Sequence, residues 1–247
     1  MITLDFRDNI ALVTGASHGI GKQIAMDLLN GGARLIATAV HPWEESAIID
    51  RFGKETCFIP VDFSSLESTR EFLEKIGEFE KIDICINNAG ISRPGPLEET
   101  TMEDWNVIHD VNLKAPFLVM QAVVGAMKRH HYGRIVNIAS IWAHITMTER
   151  MTYTSTKFGL RGLTISAATE LAEDNILVNA VSPGFTLTDM VKKNFSTAKR
   201  EALEKAIPLG RLAEPVEISR LVSFLASSIN TYITGQSIVI DGGYSIV

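Results

Sequence analysis

Apolar residues along this chain fall into two kinds of stretch that take turns. Residues 10–13, 35–40, 57–61, 82–86, 134–139, 176–181 and 237–241 are short, nearly continuous apolar runs. Between them, 20–30, 43–52, 66–79, 102–131, 153–171 and 217–226 carry apolar positions three and four apart. In 20–30 these are Ile20, Ile24 and Leu28, and the pattern stops at Gly31-Gly32, a helix C-terminal signal. A run without polar alternation reads as a strand buried on both faces. Strand–helix alternation with such strands predicts a doubly wound α/β fold, a single seven-stranded parallel sheet with helices on both faces. The whole length, 1–247, is used in this way, which predicts one domain. The segment 185–215 fits worst: it has helical fragments, mixed polarity and Pro208-Leu209-Gly210, and is expected to be a mobile flap over a site.

Composition narrows the class. The chain has 247 residues, 46% apolar and 21% charged, enough to bury a large core and too apolar for a disordered chain. A net charge of −6 argues against nucleic-acid binding, which needs a basic face. Cys57 and Cys85 each lie inside an apolar run and are expected to be buried in strands. No Cys or His spacing matches a metal site, so no metal is expected, and two isolated thiols suit a reducing, cytoplasmic compartment. The opening residues lack the pattern of a signal peptide, and no apolar run reaches eighteen residues, so no membrane association is expected.

Chemistry enters after the first strand, at Thr14-Gly15-Ala16-Ser17-His18-Gly19-Ile20-Gly21. A glycine-rich turn opening a helix lets backbone approach a pyrophosphate, and the helix N-terminus supplies free N–H groups. Its spacing is Gly-x3-Gly-x-Gly, unlike the G-x-G-x-x-G fingerprint. Further on, Tyr153 and Lys157 stand four apart on a helical pattern and share one face. A nearby ammonium favours the phenolate, and lowering a phenol by about three pKa units takes roughly 4 kcal/mol of differential stabilisation. Such a pair is usually an ordinary helix-surface pair; Ser140, thirteen residues upstream of Tyr153 at the end of the fifth strand, makes it a candidate acid–base couple.

Taken together, residues 14–21, Asn87-Asn88-Ala89-Gly90, Asn112, Ser140 with Tyr153-x3-Lys157, and Pro183-Gly184 resemble the short-chain dehydrogenase/reductase family. They stand in the family's order, from residue 10 to residue 243. Within the family, residues 133–138, 181–185 and 232–236 look most like 3-oxoacyl-[acyl-carrier-protein] reductases. The resemblance implies a Rossmann fold and a reversible NAD(P)(H)-dependent interconversion of a ketone and a secondary alcohol. It implies that Tyr153 exchanges a proton with the substrate oxygen, and that Ser140 hydrogen-bonds that oxygen. Lys157 would hold the nicotinamide ribose and tune Tyr153, and Asn112 would anchor a water that relays protons. Gly15, Ser17, His18, Gly19, Ile20, Gly21, Asp62, Phe63, Asn87, Ala89 and Gly90 would bind the dinucleotide with Tyr153 and Lys157, as would Pro183, Gly184, Thr186 and Thr188. Plain structural roles stay open for Asn112 as a buried amide, for Asn88 as a strand-end cap, for Asp62 as a loop carboxylate and for Thr188 as a helix cap.

Cofactor and substrate are less defined. The second strand ends Ala37-Thr38-Ala39-Val40-His41 without the acid that commonly binds an NAD ribose, which favours NADP(H), while Glu44 and Glu45 keep NAD(H) open. A 3-oxoacyl thioester is the first substrate expected, and an acyl carrier protein would then dock on basic residues such as Lys128 and Arg129. Thr169 stands where those reductases usually have an arginine. The loop 141–152 holds Trp142, His144, Met147, Glu149, Arg150 and Met151, which suits a polar substrate, so a sugar, polyol or hydroxy acid is the alternative. A non-catalytic nucleotide-binding scaffold is the alternative of another class. The resemblance also implies a homotetramer.

Overall fold

In the computed structural model, which describes residues 4–41, 45–188, 191 and 196–247, seven strands form one parallel sheet. They are β1 (Ile10–Val13), β2 (Arg34–Ala37), β3 (Cys57–Phe58), β4 (Ile84–Asn87), β5 (Gly133–Ile138), β6 (Ile176–Pro183) and β7 (Ser237–Ile240). Their order is β3-β2-β1-β4-β5-β6-β7. The chain winds outward from β1 to β3, then returns to pair β4 with β1 and winds the other way. Ligands in such sheets bind at the carboxyl ends of the strands where the order reverses, here between β1 and β4.

Each central strand alternates between two cores. Ala11, Val13, Ile84 and Ile86 face a layer containing Ile24, Leu28, Ile218 and Val222. Those four residues belong to α1 (Gly19–Asn30) and to the helix Pro215–Ala226. Leu12, Cys85 and Ile135 face the opposite layer, with Phe72, Ile76, Val119, Val123, Met127 and Leu171. These come from α3 (Leu66–Gly77), α5 (Ala115–His130) and α6 (Met151–Leu171). The remaining helices are α2 (Glu45–Phe52), α4 (Met102–His109) and α7 (Thr197–Ala206), so that Pro215–Ala226 is α8. Burial on both faces explains why these strands show no polar alternation.

Two expectations need correction. β3 is two residues long and lies at the sheet edge, pairing with β2 alone, so Cys57 is exposed. Cys85, in the central strand β4, is buried, and burial pushes its thiol up to about 12. The single helix expected over 102–131 is interrupted by a π-turn at Asp110–Lys114. Pro116 has no N–H to give the Asn112 carbonyl, and the ladder slips so that the Ala115 N–H bonds the Asp110 carbonyl. The stretch Met102–His130 is long and apolar enough to cross a membrane, yet Val119, Val123 and Met127 on it are buried in the core. Of the expected flap, Thr186 bridges Ala213 and Leu209 N–H bonds the Gly242 carbonyl at 3.2 Å. Residues 189–190 and 192–195 of the flap, and 43–44 of the second helical pattern, lie outside the described residues.

Candidate active site

The turn after β1 is built from backbone packed without slack. Gly15 has φ +65°, and a Cβ there would stand 3.0 Å from the Ala89 Cα. A Cβ on Gly21 would stand 2.2 Å from Asn88 Nδ2 and 2.3 Å from the Gly15 carbonyl. Thr14 Oγ1 accepts the N–H groups of Asn88 and Ala89 at 2.9 and 3.0 Å, tying β1 to β4. Asn88 Nδ2 in turn donates to the Thr14 and Gly15 carbonyls, both at 3.0 Å. The first N–H groups of α1 receive no bond from its cap residue His18, whose Nδ1 pairs with Ser17 Oγ at 2.7 Å. These free donors and the side-chain-free cradle fit the pyrophosphate of a dinucleotide.

Above the turn lies a cleft of about 520 Å³. Gly15, Ser17, His18, Gly19, Ile20, Gly21, Asp62, Phe63, Ala89, Gly90 and Thr188 line it. Asp62 holds its own turn, accepting from Ser64 N and Oγ at 2.9 and 2.6 Å. Phe63 shows the cleft only an edge, because its ring packs on Phe72 in the core. Thr188 Oγ1 accepts the Val191 N–H at 3.4 Å, the pattern of a helix cap. Six of the expected residues, Asn87, Tyr153, Lys157, Pro183, Gly184 and Thr186, do not line the cleft. Asn87 is buried and donates to Asn137 Oδ1 at 2.8 Å, and Asn137 continues to Thr164 at 2.9 Å. Pro183 closes β6, Gly184 packs against Asp241, and the Thr186 hydroxyl donates to the Gly184 carbonyl at 3.3 Å.

Arg51 is absent from the sequence reading, Thr38 enters it only as a residue able to meet a cofactor phosphate, and Asn88 only as part of the motif after β4. Asn88 does line the cleft, because successive residues at a strand end point to opposite sides. Thr38, at the tip of β2, also lines it and accepts the Gly15 N–H at 3.3 Å. Arg51 of α2 donates to the Ser17 carbonyl at 2.9 Å, a contact across 34 positions that no local pattern signals.

At the other end of the cleft, the structure gathers the four candidate catalytic residues. The Tyr153 and Ser140 hydroxyls are hydrogen-bonded to one another. Lys157 Nζ donates to the Ile138 carbonyl at 2.8 Å and lies 5.5 Å from the centre of the Tyr153 ring. A Cβ on Gly90 would stand 3.4 Å from Asn112 Oδ1 and 3.7 Å from Lys157 Nζ, so both buried side chains lie directly behind this cleft glycine. Asn112 sits in the π-turn, accepting the Ile91 N–H and donating to the Ile91 carbonyl, each at 2.8 Å. Pro116 cannot give the Asn112 backbone carbonyl the usual i+4 donor.

The electrostatics correct one expectation. Lys157 does not draw the Tyr153 phenol down in the protein alone. Burial raises Tyr153 above its ordinary value, outweighing the Ser140 hydrogen bond and the Arg150 charge that pull it down. Burial also pushes the Lys157 ammonium down to about 8. Both groups lose hydration in the same place, and each is shifted toward its neutral form.

Beyond Ser140, Trp142 packs edge-on against Phe185 at 6.3 Å, and Phe185 against Tyr244 at 5.1 Å, forming an apolar wall. His144 turns inward, its Nε2 lying 3.1 Å from Ser182 Oγ and 3.0 Å from Ser237 Oγ. Among the described residues, no group of three or more His, Cys, Asp or Glu side chains could hold a metal ion.

A doubly wound sheet with a phosphate cradle at its switch point and a Ser–Tyr–Lys–Asn group beside it defines a dinucleotide-dependent oxidoreductase. Comparison with known proteins is consistent. Residues 15–245 match a family described as Enoyl-(Acyl carrier protein) reductase. The 3-oxoacyl-[acyl-carrier-protein] reductase FabG of Escherichia coli (strain K12) is 39% identical over 99% of this chain and 100% of its own. A D-threitol dehydrogenase of Mycolicibacterium smegmatis is 35% identical over 99% of this chain and 96% of its own. The crystal structure of a gluconate 5-dehydrogenase from Burkholderia cenocepacia J2315, in complex with NADP and tartrate, has a TM-score of 0.91. It is 28% identical and covers 99% of this chain and 98% of its own. The chain belongs to the short-chain dehydrogenase/reductase family and is an NAD(P)-dependent oxidoreductase acting on CH–OH groups. An oxidoreductase replaces the scaffold alternative.

Proposed function

We propose that the protein reduces the keto group of a 3-oxoacyl thioester to a secondary alcohol with NADPH, by a reaction that is reversible in principle. The observation that carries the chemistry is the Tyr153–Ser140 hydroxyl pair backed by Lys157 and Asn112 at the end of the dinucleotide cleft. Bound dinucleotide would supply the hydride and, when oxidised, a positive charge. Ser140 holds the carbonyl oxygen and stabilises charge developing on it. Tyr153, kept protonated by burial, gives that oxygen its proton. Lys157 and Asn112 replace the proton from water through the Asn112 carbonyl.

The NADPH preference rests on the tip of β2, where Thr38 and Val40 line the cleft and no acid stands at 37–41. Arg51, held at Ser17, adds a cation on the same side. The thioester reading rests on the 3-oxoacyl reductase relatives; a carrier protein would dock near Arg129, since Lys128 is engaged with Asp174 at 3.1 Å. That ion pair and the polar loop 141–152 favour a second reading, oxidation or reduction of a sugar, polyol or hydroxy acid. We place the enzyme in the cytoplasm as one domain per chain. The homotetramer would use the exposed Phe117, Phe158 and Ile165 on α5 and α6.

The test is absorbance at 340 nm with NADPH and NADH against an acetoacetyl thioester and a panel of keto-sugars. Consumption of NADPH with the thioester, abolished by Tyr153→Phe, supports the first reading. Activity confined to the sugars moves the protein to the second.

A further inference from the structure

The substrate loop carries one cation that the proposed reaction leaves unused. Arg150 immediately precedes α6, three residues before Tyr153, and is half-buried. Its Nη1 donates to Ser92 Oγ at 3.3 Å. Among the described residues no carboxylate pairs with it, although the neighbouring Arg93 is matched by Asp104. Lys157, the other cation near the reacting hydroxyls, is engaged beneath them with the Ile138 carbonyl.

The position of Arg150 is held from both sides. Glu149 adopts φ +63°, the left-handed region that glutamate seldom enters. Its carbonyl accepts the Gly95 N–H at 3.2 Å, so residues 92–95 and 149–150 clasp each other at two points. A non-glycine residue held in that conformation next to a catalytic helix marks a segment whose geometry is fixed by its surroundings. Ser92 follows Gly90 and Ile91, which line the cleft. The Arg150 charge also reaches Tyr153, where it favours the phenolate.

We propose that Arg150 and Ser92 form a carboxylate subsite beside the Ser140–Tyr153 pair, giving the enzyme a further activity on short oxo carboxylates and the corresponding hydroxy acids. A guanidinium offers five donors in a planar fork that matches a carboxylate two-to-two, and here one nitrogen is engaged, by a neutral hydroxyl. Residues three apart at a helix start are neighbours, so a short oxo acid, with its carboxylate close to its ketone, is the substrate class this pairing suits. In reduction, hydride from NADPH forms the new C–H bond at the carbonyl carbon, and the Tyr153 proton goes to the oxygen. The ketone becomes an alcohol, NADPH becomes NADP⁺, and the carboxylate keeps its charge throughout. This inference rests on the catalytic reading of Ser140 and Tyr153 and not on the thioester reading.

The experiment compares acetoacetate with its methyl ester, which presents the same ketone without the charge, in steady-state kinetics with NADPH. Wild type is expected to favour acetoacetate in kcat/KM. In Arg150→Met the ratio of acetoacetate to ester should fall by about 100-fold, mainly through KM, with partial recovery in Arg150→Lys. Any loss through Tyr153 falls on both substrates and cancels in the ratio, and thermal melting with NADP⁺ verifies that each variant is folded. As a second readout, acetoacetate should raise the melting temperature of the wild-type NADP⁺ complex and not that of Arg150→Met. A wild-type ratio at or below one, or an equal loss on both substrates in Arg150→Met, overturns the subsite. In that case turnover of the ester or of a thioester would still support the catalytic reading. Silence of the wild type on every ketone overturns both.

Discussion

The two ends of the active-site cleft are made of different material. The dinucleotide end is backbone against backbone, with Gly21 packed so closely that a single added carbon would collide with the Gly15 carbonyl at 2.3 Å. The end proposed for the substrate is made of side chains, with Trp142, Phe185 and Tyr244 packed edge to edge and Arg150 reaching Ser92. A backbone cradle serves one ligand shape and tolerates almost no substitution. A wall of side chains can change its ligand by exchanging one residue. The contrast explains how relatives named for a 3-oxoacyl thioester, a tetritol and a sugar acid share this architecture.

The largest expected effect falls where the two ends meet. Tyr153→Phe should lower kcat by at least about 10³-fold, while the dinucleotide Kd, read by quenching of protein fluorescence, changes little. Gly21→Ala should act in the opposite way, destabilising the fold by about 3 kcal/mol and abolishing dinucleotide binding, as urea unfolding and the same titration would show. If Gly21→Ala binds dinucleotide normally, the cradle is softer than its contacts imply.

The adjacent asparagines sharpen the comparison. Asn87→Ala strands the buried Asn137 amide and should cost about 2 kcal/mol of stability with little change in dinucleotide affinity. Asn88→Ala frees the Thr14 and Gly15 carbonyls and should weaken dinucleotide binding about tenfold at a smaller stability cost. Equal behaviour of the two would mean that the strand end does not separate cleft from core.

The smallest effect is a pH dependence. Lys157 is held at about 8 in the fold against an ordinary 10.5, so between those values the unfolded chain keeps a proton that the folded chain has released. Stability of the dinucleotide-free protein should therefore rise with pH across that window relative to Lys157→Met, by up to about 1.4 kcal/mol per pH unit. A flat difference between the two melting curves would show that Lys157 keeps its charge.

Much of this was legible in the chain. Every strand run lies within a few residues of an observed strand, because burial on both faces leaves a continuous apolar signature. Cys57 misled, since an apolar run does not reveal whether its strand lies at an edge or in the middle. The π-turn was hidden in an unbroken helical period, although Pro116 was a signal that the hydrogen-bond ladder had to slip. Asn87 turns into the sheet and Asn88 toward the cleft, because a strand end sends neighbouring side chains to opposite sides.

The linear sequence by itself determined the layered architecture and the glycine-rich turn, which are written in local periodicity and short spacing, while Ser140, Tyr153, Lys157 and Asn112 were legible as a set only through the family resemblance. Only the tertiary structure decided that Arg51 reaches Ser17, that Asp174 engages Lys128, and that among the described residues no carboxylate meets Arg150. Those facts depend on which distant segments meet. Whether a charge is matched or left for a ligand is settled by partners that lie tens of residues away along the chain.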